Sequence, residues 1–340
     1  MSSATLTVAT CNAFNLALPH RAFYRHQPPY SEQEFDRKVA WLAGRFSALG
    51  ADVMVVQEVW DESALRVAVD RSGLRHMQVR VPGAEVDGQA QGTPLVGVVS
   101  RLPIESLRTV TALPEAVRLE LPGGETLTHF SRPVVIAKVR MKHGLAVHVV
   151  GVHLKSKRPQ FLISPEGEHL EDRQDPSVIA LAQLRAMIVR GAEAVAVRQI
   201  LVDLLQHNDE PLVLMGDLND GPQSVSTQMM AFTSEIQFKK RLRDVALFNA
   251  WEVQGEAALK RDVAYSHIYQ GWPELLDHIF VSEEFVANSP FSLGDVRRVD
   301  AFNDHLHEGK SRHTSDHGLV RAVIRVMTTG ATKVRASDAA

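Results

Sequence analysis

Short apolar runs recur along the whole chain and constrain its fold more than any other feature. They are rich in Val, Ile and Leu, and Gly, Pro or polar residues bound them, which predicts β-strands. Several runs are apolar at every position, as expected of strands that are covered on both faces. The predicted strands are Leu6–Cys11, Asp52–Val56, Leu74–Val81, Leu95–Ser100, Val134–Val139, Ala146–Val152, Leu212–Met215, Leu276–Val281 and Leu319–Val326.

Helices are predicted between these strands. The first, Ser31–Leu49, opens with Ser31 and Glu34 in a capping-box pattern and repeats apolar residues at helical spacing. A shorter helix is predicted over Asp61–Asp70, and the longest one over Val178–Leu205. Strands and helices are therefore interspersed along the chain.

Nothing in the sequence divides the chain into separate units. It shows neither an internal repeat nor a low-complexity linker, so a single domain over residues 1–327 is the simplest interpretation. Within it, residues 155–205 combine a long polar excursion with the longest helix, and loops of this length are often functional. Residues 328–340 lack periodicity and are predicted to be a disordered tail.

Net charge, cysteine content and the length of the apolar stretches exclude several classes of protein. The net charge of −3 and the pI near 6.6 are not the basic footprint of a tight, sequence-independent nucleic-acid binder. Cys11 is the only cysteine, so no disulfide forms within the chain. No apolar stretch approaches the ~18 residues that span a bilayer, and no leader peptide is recognisable. We therefore expect a cytoplasmic protein without a membrane span, and no feature indicates a protein partner.

Six polar segments lie at the borders of apolar runs, and they carry residues suited to phosphoester chemistry. Phosphate esters hydrolyse slowly because their anionic oxygens repel a nucleophile, and a divalent metal offsets that charge. Oxygen ligands suit Mg2+ or Mn2+. The segments are Thr10-Cys11-Asn12, Gln57-Glu58, Gly151-Val152-His153, Gly216-Asp217-Leu218-Asn219, Leu276-Asp277-His278 and Ser315-Asp316-His317. Together they predict a metal-dependent phosphoesterase.

Carboxylates in two of these segments are candidates for metal binding and for activation of water. Glu58 follows the apolar run Val53–Val56, which predicts a metal ligand near a strand end; the alternative is a surface carboxylate. Asp217 and Asn219 face the same way on an extended chain, so both can address one phosphate. Asp217 would orient or deprotonate water and Asn219 would donate to an oxygen; the alternative is a turn after a buried strand.

His153 ends the run Ala146–Val152, where its imidazole could donate to a non-bridging or leaving oxygen of a phosphate. Lys155, Lys157 and Arg158 follow, and they could hold a phosphate or a nucleic-acid backbone. The alternatives are a structural histidine and a solvated charged loop.

Asp277 and His317 are predicted to pair, because a carboxylate bonded to one ring nitrogen fixes the imidazole tautomer and raises basicity at the other nitrogen. Asp316 is then left as a possible metal ligand. His317 precedes a predicted strand, whereas Glu58 and His153 end one. Only a sheet with antiparallel members can bring both kinds of residue to one rim.

Three further histidines, His305, His307 and His313, lie just before the Ser-Asp-His segment. Imidazoles suit Zn2+ or Mn2+, so a second metal site is one interpretation. The other is that they are polar residues of a loop, because their spacing is not diagnostic.

Taken together, the motifs resemble the endonuclease/exonuclease/phosphatase superfamily, over roughly Leu6 to Val326. Gly-Asp-Leu-Asn and Ser-Asp-His are the most specific segments, and Val98–Ile104 and Ser131–Val134 also resemble strands of that family. The resemblance implies an α/β (α+β) fold: a four-layered αββα sandwich of two mixed, mostly antiparallel sheets packed face to face, with outer helices.

Roles for the metal-binding residues follow from the same resemblance. Glu58 would hold the catalytic Mg2+ or Mn2+, and Asn12 and Asp316 would contribute to the metal or phosphate shell. Lys155, Lys157 and Arg158 remain the candidate substrate contacts.

The resemblance also assigns the reacting groups. Asp217 would position the attacking water and Asn219 would orient the phosphate. His153 would stabilise the phosphorane or its leaving group. His317, paired with Asp277, would act as acid/base or as a phosphate donor, and attack would be in line without a covalent intermediate.

A nuclease acting on DNA or RNA is the first functional hypothesis, with nucleic acid as the partner. The alternative is a phosphatase or phospholipase-type enzyme acting on a small or lipid phosphoester. A catalytically inactive scaffold is disfavoured, because Glu58, Asp217 and His317 are all present.

Overall fold

The computed structural model describes residues 2–24, 27–83, 92–164, 166–206, 208–232, 240–255, 263–309 and 311–328. Strands and helices are numbered here in chain order. The strands are β1 Ser3–Leu16, β2 Val53–Val59, β3 Gln78–Arg80, β4 Leu95–Ser100, β5 Ile104–Ala112, β6 Leu119–Glu120, β7 Thr126–Leu127, β8 His129–Arg140, β9 Ala146–His153, β10 Leu212–Asp217, β11 Phe248–Asn249, β12 His267–Tyr269, β13 Trp272–Glu274, β14 Asp277–Val281, β15 Gly294–Phe302 and β16 Leu319–Met327. The α-helices are α1 Glu32–Leu49, α2 Glu62–Arg71, α3 Pro176–Leu205, α4 Val225–Ala231 and α5 Ala250–Val253.

Two six-stranded sheets form the framework, and they have the same internal plan. The first has the order β15-β16-β1-β2-β4-β3, and the second β11-β14-β10-β9-β8-β5. In each sheet the central pair is parallel, β1 with β2 and β10 with β9, and the other neighbours are antiparallel. The prediction of mixed, mostly antiparallel sheets is confirmed.

Apolar side chains form three separate buried clusters, which divide the structure into four layers. The middle cluster joins the inner faces of the two sheets. A second cluster packs α1 and α2 against the outer face of the first sheet, and a third packs α3 against the outer face of the second. At Gly151 an added Cβ would lie 2.9 Å from Val55 and 3.1 Å from Val96, so this glycine permits the close approach of the sheets. The predicted αββα sandwich is therefore observed.

Helix α1 begins where its sequence pattern predicted. The Ser31 hydroxyl accepts from the backbone N–H of Glu34, and the Glu34 carboxylate accepts from the N–H of Ser31 at 2.9 Å. This reciprocal pair satisfies two N–H groups that a helix end leaves without partners. The helix ends at Gly50, whose φ of 54° is left-handed and free of Cβ strain in glycine.

Seven of the sixteen strands in the described residues were not predicted from the sequence, and the longest of these are β5 and β15. Both lie at sheet edges, and both carry charged residues with many positions open to solvent. An edge strand needs no continuous apolar run, so the signal used for the other strands is absent. The predicted strand Leu74–Val81 is shorter in the structure, where only Gln78–Arg80 pairs with a neighbour.

The described residues 155–164 and 166–175 belong to the predicted excursion, which leads into α3. Its path is fixed by Arg185, which is buried and donates to both carboxylate oxygens of Glu171 and to the carbonyl of Gln160. At the chain end, Thr328 donates to the carbonyl of Ser2. The rest of the predicted tail, 329–340, lies outside the described residues. Within the described ranges, no helix combines the length and apolar character needed to cross a bilayer.

Candidate active site

The candidate site caps the apolar core between the two sheets. Alternate residues of a strand point to the same face, so each row that fills this core continues to a polar residue at one rim. The rows are Leu6 and Val8 leading to Asn12 on β1, Val147 and Val149 to His153 on β9, Val213 and Met215 to Asp217 on β10, and Val281 and Ile279 to Asp277 on β14. Strand periodicity thus brings four predicted residues to one place.

Sheet register sets three of these residues side by side. Asp217 is paired with His153 on the parallel strand β9 and with Asp277 on the antiparallel strand β14. β10 ends at Asp217 while β14 begins at Asp277, so the antiparallel pairing brings opposite strand ends to one rim. This is the condition that the sequence interpretation set for a common site.

Asp217 is the central carboxylate, and it is almost completely buried at 1% exposure. One oxygen, Oδ1, accepts from the backbone N–H of Asn219 at 2.8 Å. The other, Oδ2, accepts from Asn12 Nδ2 at 3.1 Å and lies 3.5 Å from His153 Nε2 and 3.8 Å from His317 Nε2. One carboxylate therefore contacts groups from both sheets.

A steric constraint directly before Asp217 gives a testable prediction about Gly216. An added Cβ at Gly216 would lie 1.9 Å from the carbonyl oxygen of Val152, which is backbone and cannot swing aside. We expect Gly216→Ala to lower the free energy of unfolding by at least about 3 kcal/mol, near the upper end of overpacking costs. Denaturant unfolding measures this, and Gly221→Ala is the control, because a Cβ there meets nothing within 4 Å. Equal stability of the two variants would contradict the steric argument.

Glu58 reaches the site through an irregular strand. The register of β2 shifts between Val56 and Val59, and Glu58 has a φ of 59°, a left-handed conformation that is uncommon for a side-chain-bearing residue. Its Oε2 accepts from the N–H of Asn15 at 3.1 Å, and its Oε1 lies 3.4 Å from Asn12 Nδ2. A backbone bulge thus turns the half-buried carboxylate toward Asn12, which also contacts Asp217.

Asn12 connects the two carboxylates, and its amide orientation is fixed locally. Its Oδ1 accepts from the backbone N–H of Phe14 at 2.9 Å, so its Nδ2 faces both Glu58 and Asp217. In this arrangement the amide holds the carboxylates in place. A metal-ligand role for Asn12 would use the remaining lone pair of Oδ1 and stays a prediction.

His317 and Asp277 are in direct contact. His317 Nδ1 donates to Asp277 Oδ2 at 2.7 Å, which leaves Nε2 of the ring directed toward Asp217. The loop before β16 is held by Ser315, whose hydroxyl donates to the carbonyl of Asn12 and accepts from the N–H of His317. Asp277 therefore holds the ring of His317, and Ser315 holds its backbone.

The pKa values of His153 and His317 shift in opposite directions because their surroundings differ. Burial lowers the pKa of His153 well below its usual value, and the charges of Arg132 and His317 act in the same direction. Burial also opposes the charged form of His317, but the carboxylates of Asp277 and Asp217 outweigh it and hold the pKa well above its usual value. His153 is therefore neutral and His317 is an imidazolium at neutral pH.

Burial raises the pKa of Asp217 to about 7, although the His317 charge and the hydrogen bonds from Asn219 and Asn12 favour its ionised form. A carboxylate that titrates near neutral pH can accept a proton from water and release it again. The central group of the site therefore has the acidity expected of a general base.

Asn219 lies beside Asp217, but its side chain is engaged within the protein. Its Nδ2 donates to the carbonyl of Leu154 at 3.0 Å, and its φ of 54° brings its own N–H to Asp217. Here its clearest function is to hold the Asp217 carboxylate and the strand end after His153. The predicted contact between Asn219 and a phosphate remains a prediction.

The basic residues after His153 are not a free cluster. Lys155 Nζ donates to the carbonyls of Ser156 and Arg158, and burial lowers its pKa to about 8. Lys157 forms an ion pair with Glu274 at 2.6 Å, and Arg158 is exposed. The ion pair with Glu274 therefore offsets one of the three positive charges that the sequence suggested for substrate binding.

His305, His307 and His313 do not gather around one point. His305 is buried with Nε2 on the carbonyl of His317, His307 contacts the Tyr265 hydroxyl, and His313 contacts Ser311. The alternative of a second metal bound by these three is not supported by their positions.

Three residues near the site were not singled out from sequence. His267 lies with its ring 5.0 Å from that of His317, Lys38 is fully buried with Nζ on the carbonyl of Arg312, and Arg132 donates to the carbonyl of Leu154. Burial lowers the pKa of Lys38 to about 7, against the attraction of Glu58 and Asp316. Of these three residues, only Lys38 could have been noticed in the sequence, because it is a lysine on the apolar side of α1.

Two places offer ligand atoms to a divalent cation, and the first would use His317 only in its neutral form. Among the described residues, Asp217, Asp277 and His317 offer ligand atoms within 4.8 Å of one another. The Oδ1 atom of Asp277 is buried and has no hydrogen-bond partner within the described part of the chain. Glu58 supplies a half-buried carboxylate nearby, and oxygen-rich sites of this kind suit Mg2+ or Mn2+.

Comparison with known proteins adds a family match. The profile of the Endonuclease/Exonuclease/phosphatase family matches residues 33–317, which include every predicted site residue except Asn12. No curated protein matches the chain significantly.

Solved structures resemble this one over almost the whole chain. An endonuclease/exonuclease/phosphatase from Bacteroides vulgatus superimposes with a TM-score of 0.55 at 14% identity, covering 95% of this chain and 99% of the other. For the human Nocturnin catalytic domain with bound sulfate, the TM-score is 0.54 at 13% identity, with 95% and 97% covered. For a mannosyl-6-phosphatase from Bacteroides thetaiotaomicron, it is 0.53 at 15% identity, with 94% and 99% covered. At these identities the likeness concerns the fold.

Proposed function

The chain belongs to the endonuclease/exonuclease/phosphatase family, whose members are phosphoester hydrolases, and on that premise we propose that it is a divalent-metal-dependent phosphodiesterase, specifically a nuclease acting on DNA or RNA. The observation that carries the proposal is the environment of Asp217. This buried carboxylate contacts Asn12 of the first sheet and lies beside His153 and His317. Because the site draws on both sheets, the proposal treats residues 1–327 as one catalytic domain.

The residues divide the proposed reaction between them. Asp217 accepts the proton of the attacking water, which its pKa of about 7 permits. His317, held as an imidazolium by Asp277, donates to a phosphate oxygen and stabilises the charge that develops there. His153 is neutral and donates to a second oxygen or to the leaving group. Glu58, with Asn12 or Asp316, would hold a divalent cation, whose charge would offset that of the remaining phosphate oxygens.

A diester is favoured over a monoester by charge. A phosphodiester carries one negative charge, whereas a terminal phosphate carries about −1.5 to −2 at neutral pH. The site is rich in carboxylates, and the nearby lysines Lys155 and Lys157 are engaged by carbonyls and by Glu274. A phosphodiester therefore needs less positive charge from the site than a phosphomonoester does.

The first experiment is a matched substrate panel at fixed Mg2+ or Mn2+, with EDTA and Asp217→Asn as controls. The panel holds linear duplex DNA, supercoiled plasmid, single-stranded DNA, RNA, a chromogenic phosphodiester and its monoester. Metal-dependent cleavage of polynucleotide is the expected result, and plasmid nicking would identify an endonuclease. Turnover of a small ester with no cleavage of polynucleotide would replace the nuclease proposal with the phosphatase alternative.

Metal binding through Glu58 can be tested without activity. We expect Mg2+ or Mn2+ to raise the Tm of the wild-type protein in a concentration-dependent manner, because a ligand that binds only the folded state stabilises it. Glu58→Gln keeps the shape but removes the charge, so most of that rise is expected to disappear. Differential scanning calorimetry measures it, with the exposed Glu115→Gln as control. An unchanged metal-dependent rise in Glu58→Gln would move the metal to Asp217, Asp277 and His317.

A further inference from the structure

An aromatic surface lies on the small hairpin formed by β12 and β13. Trp272 is 76% exposed and Tyr269 is 59% exposed, and both flank the turn of the hairpin. Large aromatic rings are costly to leave in water, and exposed ones often mark contact with a ligand.

The register of the hairpin decides which way these rings face. His267 is paired with Glu274, and Tyr269 is paired with Trp272. Residues two apart on a strand and directly paired across strands share a face, so all four side chains lie on one face. The other face carries Ile268 and Pro273.

That four-residue face is continuous with the candidate active site. The ring of His267 lies 5.0 Å from that of His317. Glu274 forms an ion pair with Lys157, which lies four residues after His153. Two residues along a strand cover about 7 Å, so Tyr269 and Trp272 extend the same face outward from the reacting groups.

The base of the hairpin is fixed to the catalytic segments. The Ser266 hydroxyl accepts from the N–H groups of Leu276 and Asp277, and the Ser266 carbonyl accepts from the N–H of Gly318 at 2.6 Å. Asp277 and the loop of His317 therefore hold the hairpin directly.

We propose that Trp272 and Tyr269 form a stacking platform for an unpaired nucleobase next to the scissile phosphate, so that the substrate is a nucleic-acid strand with unpaired bases. This rests on the proposed nuclease function. Stacking on aromatic side chains tolerates any base and adds affinity without positive charge. A chain of net charge −3, with Lys157 paired to Glu274, needs a contribution of that kind.

A stacking role selects single strands over duplex, because bases in a duplex already cover one another's faces. A membrane surface fits less well, because the hairpin face includes the carboxylate of Glu274. The charge of the neighbouring Lys157 is offset by its ion pair with that carboxylate. Lysine, arginine and aliphatic residues, which strengthen binding to lipid headgroups and acyl chains, are absent from this four-residue face.

The test compares two oligonucleotides with the same phosphates. One is an ordinary single strand, and in the other the nucleotides flanking the scissile phosphate carry no base. Trp272→Ala and Tyr269→Ala are each expected to raise KM on the ordinary strand roughly tenfold, within the range of one base–aromatic stack. KM on the strand without flanking bases is expected to change less than twofold. Trp272→Phe keeps an aromatic ring, so its KM on the ordinary strand should stay close to the wild-type KM.

The matched control is Met187→Ala, an exposed apolar residue at 56% exposure on α3, which should leave both substrates unchanged. In an Asp217→Asn background, the ordinary strand should also quench the fluorescence of Trp272. Wild-type cleavage with no dependence on Trp272 would overturn this inference alone. Cleavage of no polynucleotide, with turnover of small esters, would overturn the nuclease proposal and this inference with it. A fluorescence response to phosphatidylcholine vesicles but not to the strand would assign the platform to a membrane.

Discussion

Asp217→Asn is expected to lower turnover by roughly three orders of magnitude or more while leaving the fold intact. The substitution keeps the shape of the side chain, but an amide cannot accept the proton of the attacking water. General-base catalysis typically contributes 10²- to 10⁴-fold, and the same carboxylate also accepts from Asn12 and lies beside both histidines. Steady-state kinetics at saturating metal and substrate should therefore show the loss in kcat more than in KM.

The control for this variant is Asp203→Asn, which changes an exposed aspartate on α3 in the same chemical way and should keep full activity. A near-normal rate for Asp217→Asn would contradict the assignment of the base. The far-ultraviolet spectrum and Tm of both variants establish that a loss of rate is not a loss of fold.

Stability should change in the opposite direction to activity. The folded-state pKa of Asp217 is about 7 and its ordinary value is 3.8, so the folded protein binds the proton more tightly than the unfolded chain. A raised pKa contributes stability at low pH, and this contribution is lost as pH rises through about 7. In EDTA, the difference in Tm between Asp217→Asn and wild type is therefore expected to grow in favour of the variant from about pH 4 to pH 7. A pH-independent difference would show that the carboxylate is not strained by burial.

The second large effect is expected at the His317–Asp277 pair. His317→Ala removes the imidazolium that faces Asp217, and we expect a loss of roughly 10²- to 10⁴-fold in kcat. Asp277→Asn weakens the 2.7 Å contact that holds the ring and its charge, so it should reproduce a large part of that loss. The exposed His143→Ala is the control for removal of an imidazole.

A double-variant cycle distinguishes a paired function from two separate ones. If Asp277 acts through His317, the double variant should be no slower than His317→Ala alone. Multiplicative losses would show that Asp277 has an independent function, such as binding the metal together with Asp217. The His317→Ala rate should also lose the alkaline decline that loss of an imidazolium proton produces in the wild type.

Much of the architecture was readable from sequence, because burial imposes local periodicity. Runs such as Leu95–Ser100 and the capping box at Ser31 fixed strand and helix positions within a few residues. The edge strands β5 and β15 were missed because solvent on one side removes the requirement for a continuous apolar run. Residue types at the ends of strands also identified the candidate site residues.

The sequence by itself determined which residues terminate the buried rows, since alternation along each strand is a local property. Only the tertiary structure decided how they meet. Asn12 and Asp217 are 205 positions apart, and their contact depends on two sheets packing face to face at one register. The left-handed turn at Glu58 comes from a backbone irregularity, and the ion pair of Lys157 with Glu274 and the ring contact of His267 with His317 join residues distant in sequence. Charge and exposure at the site follow from those contacts, because burial and the groups that surround a side chain set its pKa.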